Sequence, residues 1–149
     1  MNYRIADDND IELLMDIRLE MLRIVNNLTD DYVFSGEIRD ESRNYFLSGD
    51  QTTVLAFDGE KVTGCATMSY IYMMPTYSHP SGKRGHLMNV YTKEEYRRLG
   101  IGRKMVEMLI SDAKEKGATE ISLDATESGR PLYESLGFVM SNECMVREL

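Results

Sequence analysis

The sequence is poor in cysteine, in basic charge and in long apolar runs. Its two cysteines, Cys65 and Cys144, form no CxxC pair or other metal-ligand spacing, so we expect both to be buried as small apolar side chains. No stretch approaches the roughly 18 apolar residues that a membrane-spanning helix needs. The first eight residues lack the basic-then-apolar pattern of a secretory signal. These absences argue against a zinc-motif protein and a membrane protein. They indicate a cytoplasmic protein with reduced cysteines.

Basic residues are also unevenly distributed. The chain has 17 basic and 25 acidic residues and a net charge of −8, which argues against general nucleic-acid binding because that needs a broad positive field. Seven of the bases lie between Lys83 and Lys104, where only Glu94 and Glu95 are acidic. An acidic chain with one basic island predicts one local anion site.

Hydrophobic periodicity and turn signals predict a single α/β domain over residues 1–149, since no repeat or Pro/Gly/Ser-rich linker divides the chain. Asn9 and Glu12 stand at capping-box spacing before the first helix. The predicted order is β-α-α-β-β-β-α-β-α-β-β. The strands fall at 2–6, 51–58, 61–74, 85–92, 119–125 and, as one or two closing strands, within 138–148; the helices fall at 10–27, 36–47, about 100–117 and 128–136.

The basic island contains a glycine turn that opens a helix. Residues 97–104, RRLGIGRK, hold four cations and no acid directly before the predicted third helix. Cations are unfavourable at the positive end of a helix dipole, whereas free N–H groups and small glycines suit a bound anion. The segment is neither a P-loop nor a GxGxxG motif. A surface helix with a solubilising glycine loop remains the alternative interpretation.

Three motifs resemble those of the GCN5-related N-acetyltransferases (GNAT). Arg97-x-x-Gly100-x-Gly102 resembles the family's [Q/R]xxGx[G/A] pyrophosphate motif, and Asn89-Val90-Tyr91-Thr92 resembles the fourth strand that leads into it. Residues 132–138, LYESLGF, resemble the LYxxxGF signature. The resemblance covers residues 85–140 and implies a GNAT fold, with a mixed central sheet splayed between strands 4 and 5 and flanked by about four helices.

The resemblance also implies a cosubstrate and its contacts. Acetyl-CoA would be held without a metal, its pyrophosphate by main-chain groups of the glycine turn and its pantetheine arm by the splayed strand. Thr126 stands where many members have an asparagine that contacts the cofactor. The implied cofactor-binding residues are Val90, Tyr91, Thr92, Arg97, Arg98, Leu99, Gly100, Ile101, Gly102, Arg103 and Thr126.

Two residues are candidates for proton transfer. Tyr133 occupies the position in LYxxxGF where the family carries its general acid; packing alone is the alternative. His86, on the predicted fourth strand, is a candidate general base because an imidazole titrates near neutral pH. A structural histidine and a water base both stay open, and His79, in the predicted loop before that strand, is a weaker candidate.

The acceptor side carries fewer signals. Arg18 interrupts the apolar stripe of the first helix, so it either recognises a substrate carboxylate or extends to the surface. Glu20 is a candidate contact for the acceptor amine, because the first two helices shape the acceptor site in the family. A cluster of Tyr70, Tyr72, Met73, Met74 and Tyr77 lines the acceptor pocket, forms a homodimer interface or packs in the core.

The function that these residues predict is transfer of the acetyl group of acetyl-CoA to a primary amine of a small molecule or peptide. The amine would attack directly in a ternary complex. Two alternatives stay open: a non-catalytic acyl-CoA-binding or sensing domain on the same fold, and a general nucleotide-phosphate binder. Retention of Tyr133 favours the enzyme, and the missing P-loop spacing counts against the nucleotide binder.

Overall fold

A five-stranded sheet forms the centre of the computed structural model, which describes residues 1–141 and 143–149. The strands lie in chain order across the sheet, antiparallel except for the parallel pair β4 and β5. The prediction of an α/β fold with a mixed central sheet is confirmed. Its strands are β1 (Asn2–Ile5), β2 (Gln51–Asp58), β3 (Lys61–Tyr72), β4 (Lys83–Thr92) and β5 (Ile121–Leu123).

The helices flank this sheet, and α1 begins differently from the prediction. The capping box is formed by Asp7 and Asp10, not by Asn9 and Glu12, because Asp7 caps a short 3₁₀ turn that precedes α1. None of the described helices is long and apolar enough to cross a membrane. The helices are α1 (Ile11–Val25), α2 (Gly36–Ser48), α3 (Ile101–Glu115) and α4 (Arg130–Ser135).

The sheet separates two cores. On β2, Val54 and Ala56 pack in the core that contains α3, while Leu55 and Phe57 pack in the core that contains α1 and α2. Alternate residues of a strand point to opposite faces, so burial on both faces explains the almost continuous apolar character of β2. The two faces are called here the α3 face and the α1–α2 face.

The sheet opens between β4 and β5. Their pairing ends at Leu87 and Leu123, whereas β4 continues to Thr92. Among the described residues, no strand pairs with residues 88–92 on that side of β4. The splay predicted between strands 4 and 5 is therefore confirmed. This opening is called the fork.

The prediction of one or two closing strands is wrong over the described residues of the C-terminal tail. Residues 138–141 and 143–148 form no strand, and Asn142 lies outside the described residues. The physical reason lies in β5, whose three residues offer few edge groups for a further strand to pair with. Cys65 is buried as expected, but Cys144 in this tail is exposed and the expectation for it is wrong.

The predicted cluster of tyrosines and methionines lies partly in the core and partly on the surface. Tyr70 is buried in the core on the α3 face, which confirms the packing interpretation for this residue. The other members follow the last paired part of β3 and are exposed: Tyr72, Met73, Met74 and Tyr77.

Candidate active site

The start of α3 has the features of an anion site. Gly100, its N-cap residue, is in the left-handed region with φ 78° and supplies no side-chain cap, and the first turn has no acidic residue. The first N–H groups of a helix have no intrahelical acceptor, so they point outward with the positive end of the dipole. Arg98 is also left-handed, with φ 65°. The turn thus presents main-chain donors to an anion.

Two arginines of this turn hold it in place. The Arg97 Nε donates a hydrogen bond to the carbonyl oxygen of Thr92, 3.0 Å away, which ties the turn to the end of β4. Arg103 donates to the hydroxyl of Ser135 and so ties α3 to α4. Arg98 and Lys104 are exposed. The structure therefore brings the turn and the open end of β4 together.

The side chains of the other predicted cofactor-binding residues lie partly in the core and partly on the surface. The side chain of Ile101 is buried beneath the turn and that of Leu99 is exposed, so these two residues offer the site only their main-chain groups. Val90 packs on the α3 face, while Tyr91 is buried on the α1–α2 face.

A bulge at Asn89 shapes the fork. Cys65 pairs with Tyr91 and Thr67 with Met88, so β4 has one residue more than β3 in this interval. Asn89 takes up the bulge with φ 58°, a conformation that asparagine tolerates better than most residues.

Three hydrogen bonds hold this bulge. The Asn89 Nδ2 donates to Thr67 Oγ1 at 3.2 Å, the Cys65 Sγ–H donates to the Asn89 carbonyl at 3.3 Å, and Arg18 Nη1 donates to Asn89 Oδ1 at 3.2 Å. Sequence reasoning missed the role of Asn89, although it begins the NVYT motif, because a left-handed residue leaves no periodic signal.

Tyr133 lies on the α3 face. It is half-buried, packs against the core of that face and meets Phe138 edge-to-face, with ring centroids 6.0 Å apart. Burial raises the pKa of Tyr133 above its ordinary value. Thr126 holds the start of α4, where its Oγ1 accepts a hydrogen bond from the Gly129 N–H at 3.1 Å. Its hydroxyl is therefore already used in part by the chain.

His86 lies on the opposite face of the sheet from Tyr133. It precedes Leu87, whose side chain packs on the α3 face, so strand alternation turns the imidazole to the α1–α2 face. Its Nδ1 is 2.8 Å from Ser122 Oγ, and its Nε2 is 3.7 Å from a carboxylate oxygen of Asp124. His79 instead lies beside Thr119, at the end of β4 and β5 remote from the fork.

A cavity of about 240 Å³ reaches the fork from the α1–α2 face. Arg18 lies in its wall and does not extend to the surface, and burial lowers the pKa of its guanidinium. Met88 and Asn89 of the fork form another part of the wall. Sequence reasoning missed the remaining lining residues, which are Ile38, Glu41, Ser42, Tyr45, Phe46 and Thr67.

Glu20 lies outside this cavity lining. Its carboxylate accepts a hydrogen bond from the Tyr91 hydroxyl at 2.9 Å and lies 3.5 Å from Lys93 Nζ. Burial, followed by this contact with Glu20, raises the pKa of Tyr91. In the structure, Glu20 thus fastens α1 to the end of β4.

A larger cavity of about 930 Å³ wraps the free edge of β5. His86 and Tyr133 both line it, together with residues from the C-terminal half of α3 and from the tail after α4. No residue of the turn 97–103 contributes to it. It therefore contains the candidate acid and base but does not extend to the anion site.

Comparison with known proteins places this geometry in a family. The profile of the Acetyltransferase (GNAT) family matches residues 18–138. A crystal structure of a predicted acetyltransferase from Clostridium acetobutylicum, determined with acetyl-CoA, is 30% identical with a TM-score of 0.86, over 99% of this chain and 95% of that chain.

Two curated relatives are more distant. The glucosamine 6-phosphate N-acetyltransferase of Trypanosoma brucei brucei is 28% identical over 78 residues, which is 52% of this chain and 51% of the relative. The N-alpha-acetyltransferase of Sulfurisphaera tokodaii is 26% identical over 140 residues, 91% of this chain and 80% of the relative. The match thus spans about half the length of the trypanosome protein. The chain belongs to the acetyltransferase (GNAT) family.

Proposed function

We propose that this chain transfers the acetyl group of acetyl-CoA to a primary amine of a small molecule or peptide. The observation that carries the proposal is the position of the uncapped, cation-rich start of α3 at the open end of β4. The anion site and the fork are thus adjacent. A similar protein from Clostridium acetobutylicum was crystallised with acetyl-CoA, which supports the choice of cosubstrate.

The turn and the fork would divide the work of binding. Main-chain N–H groups of residues 98–103 hold the pyrophosphate, because they are unpaired donors at a positive helix end. The free edge of β4 at Val90, Tyr91 and Thr92 offers backbone groups to the pantetheine arm. A Cβ added at Gly100 would meet no atom within 4 Å, so the space above the turn is open to a ligand.

Tyr133 is the proposed general acid. The amine nitrogen attacks the acetyl carbon, the carbon–sulfur bond breaks, and the Tyr133 hydroxyl gives its proton to the departing thiolate. Because burial raises the pKa of Tyr133, the hydroxyl keeps its proton at neutral pH until the thiolate forms.

His86 is the proposed base, directly or through a water, that takes the proton of the amine. Its hydrogen bond with Ser122 fixes the ring, and Asp124 would stabilise the imidazolium.

The experiment is a steady-state assay of coenzyme A release with a panel of amines, comparing Tyr133→Phe with the control Tyr3→Phe. Both tyrosines are half-buried against the same core and have pKa values raised by burial, but Tyr3 lies on the far edge strand β1. We expect Tyr133→Phe to lower kcat by about 10²-fold or more, the usual contribution of a general acid. Tyr3→Phe should leave kcat within about two-fold of wild type, and neither variant should lose coenzyme A affinity.

The same assay separates the alternatives. Tight coenzyme A binding without acetylation of any amine would replace the enzyme by an acyl-CoA-binding domain. Binding of ATP at least as tight as that of coenzyme A would indicate a general nucleotide-phosphate site. Equal losses of kcat in the two tyrosine variants would remove Tyr133 from the mechanism and leave the transfer itself standing.

A further inference from the structure

The cavity of about 240 Å³ that reaches the fork contains a cation, Arg18, for which the described residues supply no counter-ion. Among the described residues, no carboxylate lies within salt-bridge distance of Arg18, although ten other pairs of the chain meet that criterion. Its recorded partners are the amide oxygen of Asn89 and, at 3.9 Å, the sulfur of Met21. A desolvated guanidinium is costly to hold without a negative partner. A bound anion would supply that partner.

The cavity connects this cation to the fork. The hydrogen bond from Arg18 to Asn89 joins the guanidinium to the bulge, which lies within the free edge of β4. An anion on Arg18 would therefore lie beside the free edge of β4, to which the proposed function assigns the pantetheine arm. The reacting amine and the anion must then belong to one small molecule and be separated by only a few bonds.

The charge and the size of the cavity limit which anions can bind in it. Among the described residues that line the cavity, Arg18 is the only cation, and Glu41 adds a negative charge to the same wall. One planar guanidinium can neutralise one carboxylate, whereas it leaves a doubly charged phosphate partly uncompensated, and Glu41 repels the phosphate more strongly than the carboxylate. The volume of about 240 Å³ equals roughly eight waters at about 30 Å³ each, so the ligand is a small one.

We infer that the acceptor is a small amino acid whose carboxylate is bound by Arg18 and whose apolar side chain lies against Ile38, Phe46 and Met88. This inference rests on the proposed function, since it names the acceptor of that transfer. It also separates this chain from its trypanosome relative, whose name gives an amino-sugar phosphate as the acceptor.

The test compares apolar L-amino acids with their own carboxamides, which keep the amine and lose the carboxylate, and with glucosamine 6-phosphate. We expect wild-type kcat/KM to be at least ten-fold higher for the acids than for the carboxamides. Arg18→Gln should lower kcat/KM for the acids by about 10- to 150-fold, the range for loss of a charge-assisted hydrogen bond. It should largely abolish the preference for acids over carboxamides, because only the acids present a carboxylate to Arg18.

Arg23→Gln is the matched control, because Arg23 lies on the same helix, donates to the Tyr32 carbonyl and does not line the cavity. It should keep the preference for acids. If Arg18→Gln does not fold, Ser42→Asp replaces it: Ser42 lines the cavity, and a carboxylate there would compete for Arg18. That variant should weaken binding of the acids at least ten-fold.

Thermal denaturation of the coenzyme A complex gives a readout that does not depend on turnover. A rise in Tm with an amino acid, absent in Arg18→Gln, would support the anion site even if no amine is acetylated, in which case only the proposed function fails. Equal rates for acids and carboxamides, a preference for glucosamine 6-phosphate, or equal losses for both forms in Arg18→Gln would each overturn the inference. So would the absence of both turnover and binding.

Discussion

Replacement of Gly100 by alanine tests the anion site directly, because a second glycine of the same helix provides a matched control. Gly100 begins α3 with φ 78°, and Gly117 follows its end with φ 82°. At both positions an added Cβ would meet no atom within 4 Å. Alanine at either position therefore adds no clash and differs from glycine mainly in the cost of the left-handed conformation.

That cost sets the expected loss of stability. A left-handed L-residue costs about 1–2 kcal/mol, so both variants should lose that much free energy of unfolding. For a chain of this length, 1 kcal/mol corresponds to about 2–4 °C, so we expect Tm to fall by roughly 2–8 °C in each variant. Thermal and urea denaturation of the ligand-free proteins measure this loss.

Coenzyme A affinity should separate the two variants. Relaxation of the strained turn in Gly100→Ala would turn at least one first-turn N–H away from the pyrophosphate. Loss of one charge-assisted hydrogen bond costs about 1.5–3 kcal/mol, which is about 10- to 150-fold in Kd. Gly117→Ala, at the other end of α3, should keep Kd within about two-fold. Isothermal titration that finds equal affinities in the two variants would refute the assignment of the anion site to this turn.

Three further predictions concern stability. Asn89→Ala should lower the free energy of unfolding in urea by about 3 kcal/mol, since it removes two side-chain hydrogen bonds and leaves alanine at φ 58°, and Asn89→Gly should lose roughly 1 kcal/mol less; equal losses would show that backbone strain is not involved. Hydrogen bonds from Arg4 are the main cause that lowers the pKa of Asp10 below 3.8, so their stabilisation is complete above that pH and is lost as the pH falls through the lowered value. The free energy of unfolding should therefore fall over this pH range in wild type, and Asp10→Asn should flatten this part of the curve. Gly102→Ala should raise stability by about 0.5–1 kcal/mol and keep coenzyme A affinity, because the position is helical, its Cβ has room and the motif accepts alanine; a loss of affinity would show that the ligand approaches this Cα more closely than we infer.

The part of the molecule that periodicity and turn chemistry could predict is the part whose signals are local. The apolar run of β2, the Asp58-Gly59 turn and the amphipathic stripe of α3 each stand in a short stretch of sequence, and the structure has the corresponding elements there. The cation-rich glycine turn is equally local, since the αL conformation of Gly100 and the uncapped helix start belong to adjacent residues.

Features that depend on pairing could not be predicted in the same way. The closing strands were expected from local composition, but a strand needs an edge to pair with, and β5 offers only three residues. The capping box was misplaced by two residues because several acidic and amide side chains in residues 7–10 can each cap a helix. Which of them does so depends on the bidentate contact of Asp10 with Arg4.

The sequence by itself determined the family through the motifs of residues 85–140, and it predicted the anion site and the proposed acid, because each motif is a contiguous stretch with a conformation of its own. Only the tertiary structure decided the acceptor half. Arg18, Glu41 and Asn89 come from three different elements, and they line one cavity because α1 and α2 pack on the face of the sheet opposite α3. The position of the fork also depends on the tertiary structure. At the fork β4 no longer pairs with β5, so a ligand from either face of the sheet can reach the same strand edge.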